Sequence, residues 1–298
     1  MVERSRKLIS KEQVIACELL PEVRTSIEVY ARELRKAAPG IGAHGLREDE
    51  FWDAGLFHGA IEKLRGTQSA STDQKRSFVE DILSFLKSKG YIDDWVFSGG
   101  GERHDYSIRM PKGRLVIVEA KGCLDGNNTN IYVRPQNADE FVIWSLCQNP
   151  GADPKHNAWS GIHTRLGAEI VHRPDRVDGL VIWDMLCGTA GRPCPKTKKS
   201  RSRETSLSGR KVPPPCIYVF PRTRPDPRNN PSPNCWKLKE VAFLNALSNA
   251  FHCNSHDITY VKIEARREAA DLQRKTRLTR DNAVVCESSW NTIKRANP

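Results

Sequence analysis

The sequence predicts a mixed α/β (α+β) fold, in which a central mixed sheet is flanked by helices. Residues 73–90 place apolar side chains at helical spacing and end at Gly90, a residue common after helix ends. Residues 104–121 predict two strands joined by a turn at Pro111-Lys112-Gly113. Residues 177–185 form a further apolar strand. Together these segments predict helices packed against a sheet.

Further elements are predicted on either side of these segments. Helices are expected at 10–38, 47–65, 137–148, 160–171, 236–251 and 264–280, and strands at 91–97, 216–220 and 257–263. The composition changes after Cys187, because residues 192–237 hold 12 Lys and Arg, two acidic residues and ten prolines. That stretch is expected to be a basic, proline-rich loop or a small appended module.

The composition is that of a globular and basic protein. Of 298 residues 38% are apolar, which excludes a disordered chain. Lys and Arg number 47 against 36 Asp and Glu, giving a net charge of +11. A surplus of this size favours a polyanionic partner, most often nucleic acid. A soluble protein that happens to be basic is the alternative that charge alone leaves open.

The nine cysteines are irregularly spaced, and no apolar signal segment precedes them. No apolar run has the length needed to cross a bilayer. These observations favour a cytoplasmic protein with reduced thiols and no membrane partner. Cysteines and histidines are frequent in the second half of the chain, but none shows C-x(2)-C spacing. Buried free thiols are therefore expected there rather than a structural zinc.

Three side chains of the predicted hairpin stand out. Asp105 begins its first strand, and Glu119 and Lys121 end its second strand after thirteen intervening residues. Because the start of one strand lies beside the end of its antiparallel partner, Asp105 is expected near Glu119. Glu119 and Lys121 are two residues apart and so project from the same face. The sequence thus predicts two carboxylates and one ammonium at one edge of a sheet.

This combination of side chains suits metal-assisted chemistry on phosphates. Two carboxylates can hold Mg²⁺, which prefers oxygen ligands, acidifies a bound water and stabilises charge on a phosphate oxygen. A lysine can orient or deprotonate the attacking water, or stabilise the pentavalent phosphate. The alternative is a surface hairpin with an incidental Glu–Lys pair. Glu119 follows four apolar residues, however, and a carboxylate that ends a buried strand needs an explanation.

The pattern of Asp105, thirteen residues and then Glu119-Ala120-Lys121 resembles the PD-(D/E)XK nuclease superfamily, which includes most type II restriction endonucleases. The resemblance covers roughly residues 73–185 and implies a restriction-endonuclease-like core. It implies that Asp105 and Glu119 bind Mg²⁺, for which Mn²⁺ can substitute, and that Lys121 is the catalytic lysine. His104 stands where the family name has Pro, a position at which Pro is commonly absent.

Many members of that superfamily carry a further acidic residue on the helix before the hairpin. Glu80 matches it in this chain and would be an additional metal ligand, directly or through water. Asp81 is the nearby alternative, but it lies on a different helical face. No P-loop and no G-x-G-x-x-G motif opens a helix here, which argues for a nuclease without ATPase machinery.

The resemblance divides the chain into four segments. Residues 1–70 would be an N-terminal helical region packed on the core, 71–190 the nuclease core, 191–235 a basic, proline-rich loop or insertion, and 236–298 a C-terminal α/β completion of the same domain. The expected function is a Mg²⁺-dependent endonuclease of double-stranded DNA, sequence-specific and serving restriction or phage defence. A homodimer is expected, because two sites must face two strands. A non-catalytic DNA-binding protein and a repair, structure-specific or RNA-directed nuclease remain as alternatives.

Further candidates for DNA contact surround this core, namely Arg134, Gln136, Arg165, Lys198, Lys199 and Arg201. Gln136 could position a phosphate or a water, as a helix-borne Gln does in some related nucleases. Arg165 could contact phosphate, and the solvated face of an amphipathic helix is its alternative. The last three lie in the basic segment 196–228, where Lys and Arg would bind phosphates. A disordered loop is the alternative for that segment.

Overall fold

The computed structural model describes residues 72–98, 104–121, 134–146, 161–172, 176–183 and 204–293. The helices predicted at 10–38 and 47–65, and with them the N-terminal region 1–70, lie outside these residues. Lys198, Lys199 and Arg201 also lie outside them. No helix in the described ranges combines the length and apolarity that crossing a membrane requires.

The described residues form three α-helices and twelve strands. The helices are α1 (Thr72–Ser88), α2 (Gly167–His172), which continues a π-helical turn at Gly161–Leu166, and α3 (Ala242–Ala250). The first strands are β1 (Asp94–Phe97), β2 (Tyr106–Arg109), β3 (Leu115–Lys121), β4 (Glu140–Leu146) and β5 (Gly179–Trp183). The others are β6 (Thr205–Leu207), β7 (Arg210–Val212), β8 (Cys216–Val219), β9 (Ile258–Glu268), β10 (Asp271–Arg280), β11 (Ala283–Glu287) and β12 (Asn291–Thr292).

Ten of these strands form one mixed sheet, in the order β1-β2-β3-β4-β5-β8-β9-β10-β11, with β12 also paired to β10. Strands β1, β2 and β3 are antiparallel, β3, β4 and β5 are parallel, and β8 and β9 run opposite to them. We call the end of the sheet where β3, β4 and β5 finish and β2 begins the carboxyl edge. The opposite end, where β3, β4 and β5 begin and β2, β8 and β9 finish, is the amino edge. The predicted mixed α/β fold with a central mixed sheet is confirmed.

Helices cover both faces of the sheet. On one face α1 and α3 pack with Val116, Val118 and Trp144. On the other face the π-helical turn and α2 pack against Ile117, Ile143 and neighbouring strands. The contact of α3 with β5 is close, because a Cβ added to Gly179 would lie 2.3 Å from Leu244 Cδ1. The alternation along β3 therefore assigns its even-numbered side chains to the α1 face and its odd-numbered ones to the α2 face.

Most predicted elements are present with shifted ends. The helix at 73–90 is α1, and the helix at 160–171 is the π-helical turn plus α2. The strands predicted at 91–97, 104–110, 114–121, 177–185 and 216–220 are β1, β2, β3, β5 and β8. β8 is an internal strand of the sheet, buried along its length, so the segment 191–235 contributes a core strand as well as loop.

Two predicted helices are wrong. Residues 137–148 contain β4, whose seven residues are all buried. A strand covered on both faces is a continuous apolar run, which periodicity cannot distinguish from a buried helix. Residues 264–280 contain the end of β9 and all of β10, which pair as an antiparallel hairpin. Charged side chains occupy both faces of this hairpin, with Arg274 buried on one face and Arg266 partly exposed on the other, and this obscured the alternation.

Candidate active site

The β2–β3 register brings Asp105 to the end of β3. Tyr106 pairs with Val118, so the next position sets Asp105 opposite Glu119. The backbone amide of Asp105 donates to the carbonyl of Val118 at 3.3 Å. Its carboxylate oxygen Oδ2 accepts the amide of Ala120 at 2.7 Å. The first carboxylate is therefore fixed against the strand that carries the other two side chains.

Glu119 and Lys121 project from the same face of β3 and form an ion pair. The Lys121 ammonium donates to Oε1 of Glu119. The Glu119 side chain is 4% exposed and that of Lys121 is 15% exposed. The second oxygen of Glu119, Oε2, is buried and has no hydrogen-bond partner within the part of the chain that the structure describes. One half of this carboxylate is thus directed into the protein with nothing described to satisfy it.

Burial raises the pKa of Glu119 to about 7. Loss of hydration is the main cause, because a carboxylate in a poorly solvated site disfavours its charged form. The hydrogen bond and the charge of Lys121 lower this pKa, and the charge of Asp105 raises it. The repulsion from Asp105 shows that the two carboxylates are close enough to interact electrostatically. Without a bound cation, Glu119 titrates near neutral pH.

The site lies at the carboxyl edge of the parallel strands. In β4, Ile143 pairs with Glu119 and Ser145 pairs with Lys121. Ser145 is fully buried and lies on the same face as the ion pair. In open α/β sheets, ligands bind in the crevice outside the carboxyl ends of parallel strands. The position of the site in the sheet is therefore one where a ligand is expected.

A polar group missed by the sequence reasoning flanks Asp105. The ring atom Nε2 of His104 lies 2.8 Å from Oγ of Ser107 and 3.0 Å from Oγ of Ser98. The backbone amide of Ser98 donates to the carbonyl of Asp105 at 2.9 Å, which ties the end of β1 to the same position. The signal available in the sequence was the alternation of polar Asp105 and Ser107 on one side of β2. These contacts fix the conformation of the chain around Asp105.

Glu80 is not brought into this cluster. It lies on α1, which packs on the face of β3 opposite to Glu119. Its Oε1 accepts a hydrogen bond from Arg76 Nε at 2.8 Å, and its side chain is 31% exposed. Its negative charge acts instead on Tyr106, whose pKa is raised by burial first and then by Glu80 and Asp105.

The donor set can still accommodate a magnesium ion. In the described part of the chain, no group of three or more His, Cys, Asp and Glu side chains could together hold a metal. Mg²⁺ does not require such a cage, since one or two carboxylates and several waters are its usual set. Asp105 and Glu119 supply two carboxylates, and the unpartnered Oε2 of Glu119 is a free oxygen ligand. The residues present therefore fit the ion.

Two of the DNA-contact candidates, Arg134 and Gln136, lie away from this cluster. Arg134 donates to Asp178 at 2.7 Å and to the carbonyl of Ala138, and its side chain is 15% exposed. Gln136 is exposed in the turn before β4, not on a helix. Both residues are at the amino edge, away from Lys121. Arg165 belongs to the π-helical turn, and its side chain is outside what the structure describes.

Two further buried carboxylates were missed by the sequence reasoning. Glu140 accepts the amides of Ala242 and Phe243 at 2.6 and 3.1 Å, which caps the start of α3. Asp178 accepts hydrogen bonds from Arg134, Arg176, Trp236 and the amide of Phe141. Each begins an apolar strand, a signal as clear as that of Glu119. The donors around these two carboxylates give them structural roles.

Comparison with known proteins adds no relative to this geometry. No family model matches the chain, and searches of curated proteins and of solved structures found no match. The chemistry of the site is therefore inferred from the side chains of this chain and their contacts.

Proposed function

We propose that the protein is a magnesium-dependent endonuclease that hydrolyses phosphodiester bonds of double-stranded DNA at Asp105, Glu119 and Lys121. The observation that carries the proposal is the pairing of a buried, half-satisfied carboxylate with a lysine. Glu119 leaves Oε2 without a partner while Oε1 is bound to Lys121, and Asp105 lies across the hairpin. A purely structural Glu–Lys pair has no need of a second carboxylate or of an unsatisfied oxygen.

Each side chain has a distinct part in the proposed reaction. Asp105 and Glu119 would hold Mg²⁺, which when bound would acidify a water and stabilise charge on the phosphate. Lys121 is held beside Glu119 and would orient the attacking water or stabilise the negative charge that develops on the phosphate oxygens. Partial burial of Lys121 strengthens such an interaction, because less water screens it.

The substrate class follows from charge and from the resemblance to the PD-(D/E)XK superfamily. The net charge of +11 favours a polyanion. The restriction-endonuclease-like core, cleavage at a specific sequence, a role in restriction or phage defence, a homodimer and a cytoplasmic location are proposed by analogy with that superfamily.

A plasmid cleavage assay tests the proposal. The full-length protein is incubated with plasmid DNA and Mg²⁺, beside EDTA and the variants Asp105→Asn, Glu119→Gln and Lys121→Met. We expect cleavage by the wild type with Mg²⁺, and a reduction of at least about 100-fold in each variant, the scale of removing a charged group that acts in the transition state. Discrete bands indicate a sequence-specific enzyme, and a smear indicates a nonspecific one.

The chain offers a matched control for the lysine. Lys262 and Glu264 form the same strand pair, two residues apart, at 3.2 Å on β9. Lys262→Met therefore removes a similar ion pair and one positive charge far from the proposed site, and it should cleave like the wild type. Intact plasmid from several unmodified sources, at low and moderate salt, would contradict the proposal and favour a non-catalytic DNA-binding protein. Cleavage of RNA alone would favour an RNA-directed nuclease.

A further inference from the structure

The connection between β8 and α3 has a fixed shape. Residues 221–235 contain five prolines, which restrict the backbone. Asp226 and Asn230 exchange two backbone hydrogen bonds of 2.8 and 3.0 Å. The carbonyl of Pro231 accepts the amide of Ala265 at 2.9 Å, which attaches the loop to β9. Charged side chains on this loop are therefore presented from a preorganised backbone.

Some cations at this end of the sheet are already engaged. Arg222 forms an ion pair with Glu240, and its guanidinium lies 5.1 Å from the centre of the Trp236 ring. The guanidinium of Arg176 lies 5.3 Å from the same ring and binds Asp178. These groups bind the loop to the sheet, and their charge is largely compensated within the protein.

Among the other cations of the amino edge, five on the β2–β3 turn and on residues 221–240 are exposed and, within the described part of the chain, form no ion pair. We call them the amino-edge surface: Lys112, Arg224, Arg228, Lys237 and Lys239. Within residues 221–240 there are five Arg and Lys against Asp226 and Glu240, a net charge of 5 − 2 = +3.

The cations on the exposed face of β9 and β10 differ from those of the amino-edge surface, because they form ion pairs. Lys262 is paired with Glu264 there, and both Lys275 and Arg277 are paired with Glu287. Cations on that face are therefore compensated by neighbouring carboxylates. Cations without a carboxylate partner are therefore more concentrated at the amino edge than on the exposed face of β9 and β10.

We infer that the amino-edge surface binds the phosphate backbone of duplex DNA. The choice of DNA as the partner rests on the proposed function. Leu115 lies at this edge, and Glu119 is four residues further along β3. The distance between them is therefore about 13 Å, at 3.3 Å per residue. The surface is therefore separate from the carboxylates, and it contributes affinity and orientation rather than chemistry. Exposed Lys and Arg on a rigid loop are suited to this, because they bind phosphates without a large cost in ordering.

Salt dependence of binding tests the inference. Fluorescence anisotropy of a labelled 30-base-pair duplex is measured with the full-length protein in EDTA, where no cleavage occurs. The slope of log K against log salt falls by about 0.9 for each phosphate that the protein no longer neutralises. We expect Arg224→Ala/Arg228→Ala to lower that slope by nearly two and to weaken binding at every sequence tested. Arg224→Lys/Arg228→Lys should keep the wild-type slope.

A double variant of equal charge serves as the control. Lys275→Ala/Arg277→Ala removes two ion-paired cations from β10 and should leave the slope unchanged. Equal slopes in the two alanine variants would overturn the inference, as would a surface variant that binds like the wild type. Circular dichroism confirms that the variants are folded, which the exposure of both arginines favours. If the surface variant loses affinity for poly-glutamate but not for the duplex, the partner is an acidic protein and the inference is wrong.

The outcome is separable from that of the proposed function. If the slopes change as expected and plasmid is never cut, the surface stands and the endonuclease proposal fails. If plasmid is cut and the slopes do not change, the endonuclease proposal stands and the inference about the amino-edge surface fails. In steady-state cleavage the surface variant should raise KM and leave kcat near the wild-type value, whereas Lys121→Met should lower kcat.

Discussion

Lys121 binds one oxygen of Glu119, and the other oxygen is buried with no hydrogen-bond partner among the described residues. Two other buried carboxylates at strand starts of the described sheet, Glu140 and Asp178, differ in this respect. Glu140 receives two backbone amides and Arg114, and Asp178 receives four donors. An unsatisfied buried carboxylate oxygen costs free energy, so its persistence at Glu119 calls for a reason. A cation that binds there would supply the missing partner.

The raised pKa of Glu119 predicts a pH-dependent stability. A carboxyl whose pKa is about 7 in the folded protein and 4.5 otherwise holds its proton more tightly when folded. Its contribution to stability is therefore complete below pH 4.5 and is lost as the pH rises through about 7. The loss amounts to no more than about 3–4 kcal/mol, at 1.36 kcal/mol per pH unit of the shift.

Urea unfolding at pH 4.5 and pH 8 measures this effect. We expect the free energy of unfolding of Glu119→Gln to exceed that of the wild type at pH 8 and to approach it at pH 4.5. Mg²⁺ should stabilise the wild type at pH 8 and leave Glu119→Gln unaffected. If the difference in the free energy of unfolding between Glu119→Gln and the wild type does not vary with pH, the pKa of Glu119 is not raised by folding.

Lys121 should shift the titration of its neighbour. Because its hydrogen bond and charge lower the pKa of Glu119, Lys121→Met should raise that pKa above about 7. The pH at which Mg²⁺ binding is half-maximal, followed by isothermal titration calorimetry, should therefore move to higher pH. Lys121→Arg keeps the positive charge and should shift the midpoint of Mg²⁺ binding less than Lys121→Met does. An unchanged midpoint in Lys121→Met would mean that Glu119 is not a ligand or that the ion pair is absent in solution.

The carboxylate site was the most predictable part of the protein. Strand alternation alone places Glu119 and Lys121 on one face, and the hairpin places Asp105 opposite, because both depend on local backbone geometry. The side of the sheet that α1 covers is set by tertiary packing, so no local pattern could show that Glu80 lies on the other face. His104 likewise departs from the superfamily name, and its contacts with two serines follow from the β1–β2 pairing.

The misplacement of Arg134 and Gln136 has a topological cause. Both follow the hairpin closely in sequence, which suggested proximity to the site. β4 is parallel to β3, however, so the chain must return to the amino edge before β4 begins. Assigning residues 137–148 to a helix concealed that return.

The β9–β10 hairpin was missed because of the composition of its turn. The turn, Ala269-Ala270, has no Gly, Asn or Pro, although Ala269 has a φ of 52°.

The position of Glu80 predicts that it is dispensable for metal binding. Glu80→Gln should bind Mg²⁺ and cleave DNA within about twofold of the wild type, since the residue is paired with Arg76 on the opposite face. Removal of that exposed pair should change the free energy of unfolding by no more than about 0.5 kcal/mol. Mg²⁺ titration and initial cleavage rates measure the first two quantities. A fall in cleavage comparable to that of Glu119→Gln would show that α1 moves to bring Glu80 to the metal.

Arg134 is expected to act on stability rather than on DNA affinity. It contacts Asp178, whose side chain is 1% exposed, so Arg134→Ala leaves a buried carboxylate with fewer compensating donors. Removing one partner of a buried ion pair costs about 3–5 kcal/mol, and the hydrogen bonds that Asp178 retains place this variant near the lower value. Chemical denaturation measures that cost, and duplex binding of the folded variant should keep the wild-type salt dependence. Arg224→Ala should show the opposite pattern, with a reduced salt dependence of duplex binding and an unchanged free energy of unfolding. A variant of Arg134 that folds as well as the wild type and binds duplex DNA more weakly would restore its predicted role in DNA contact.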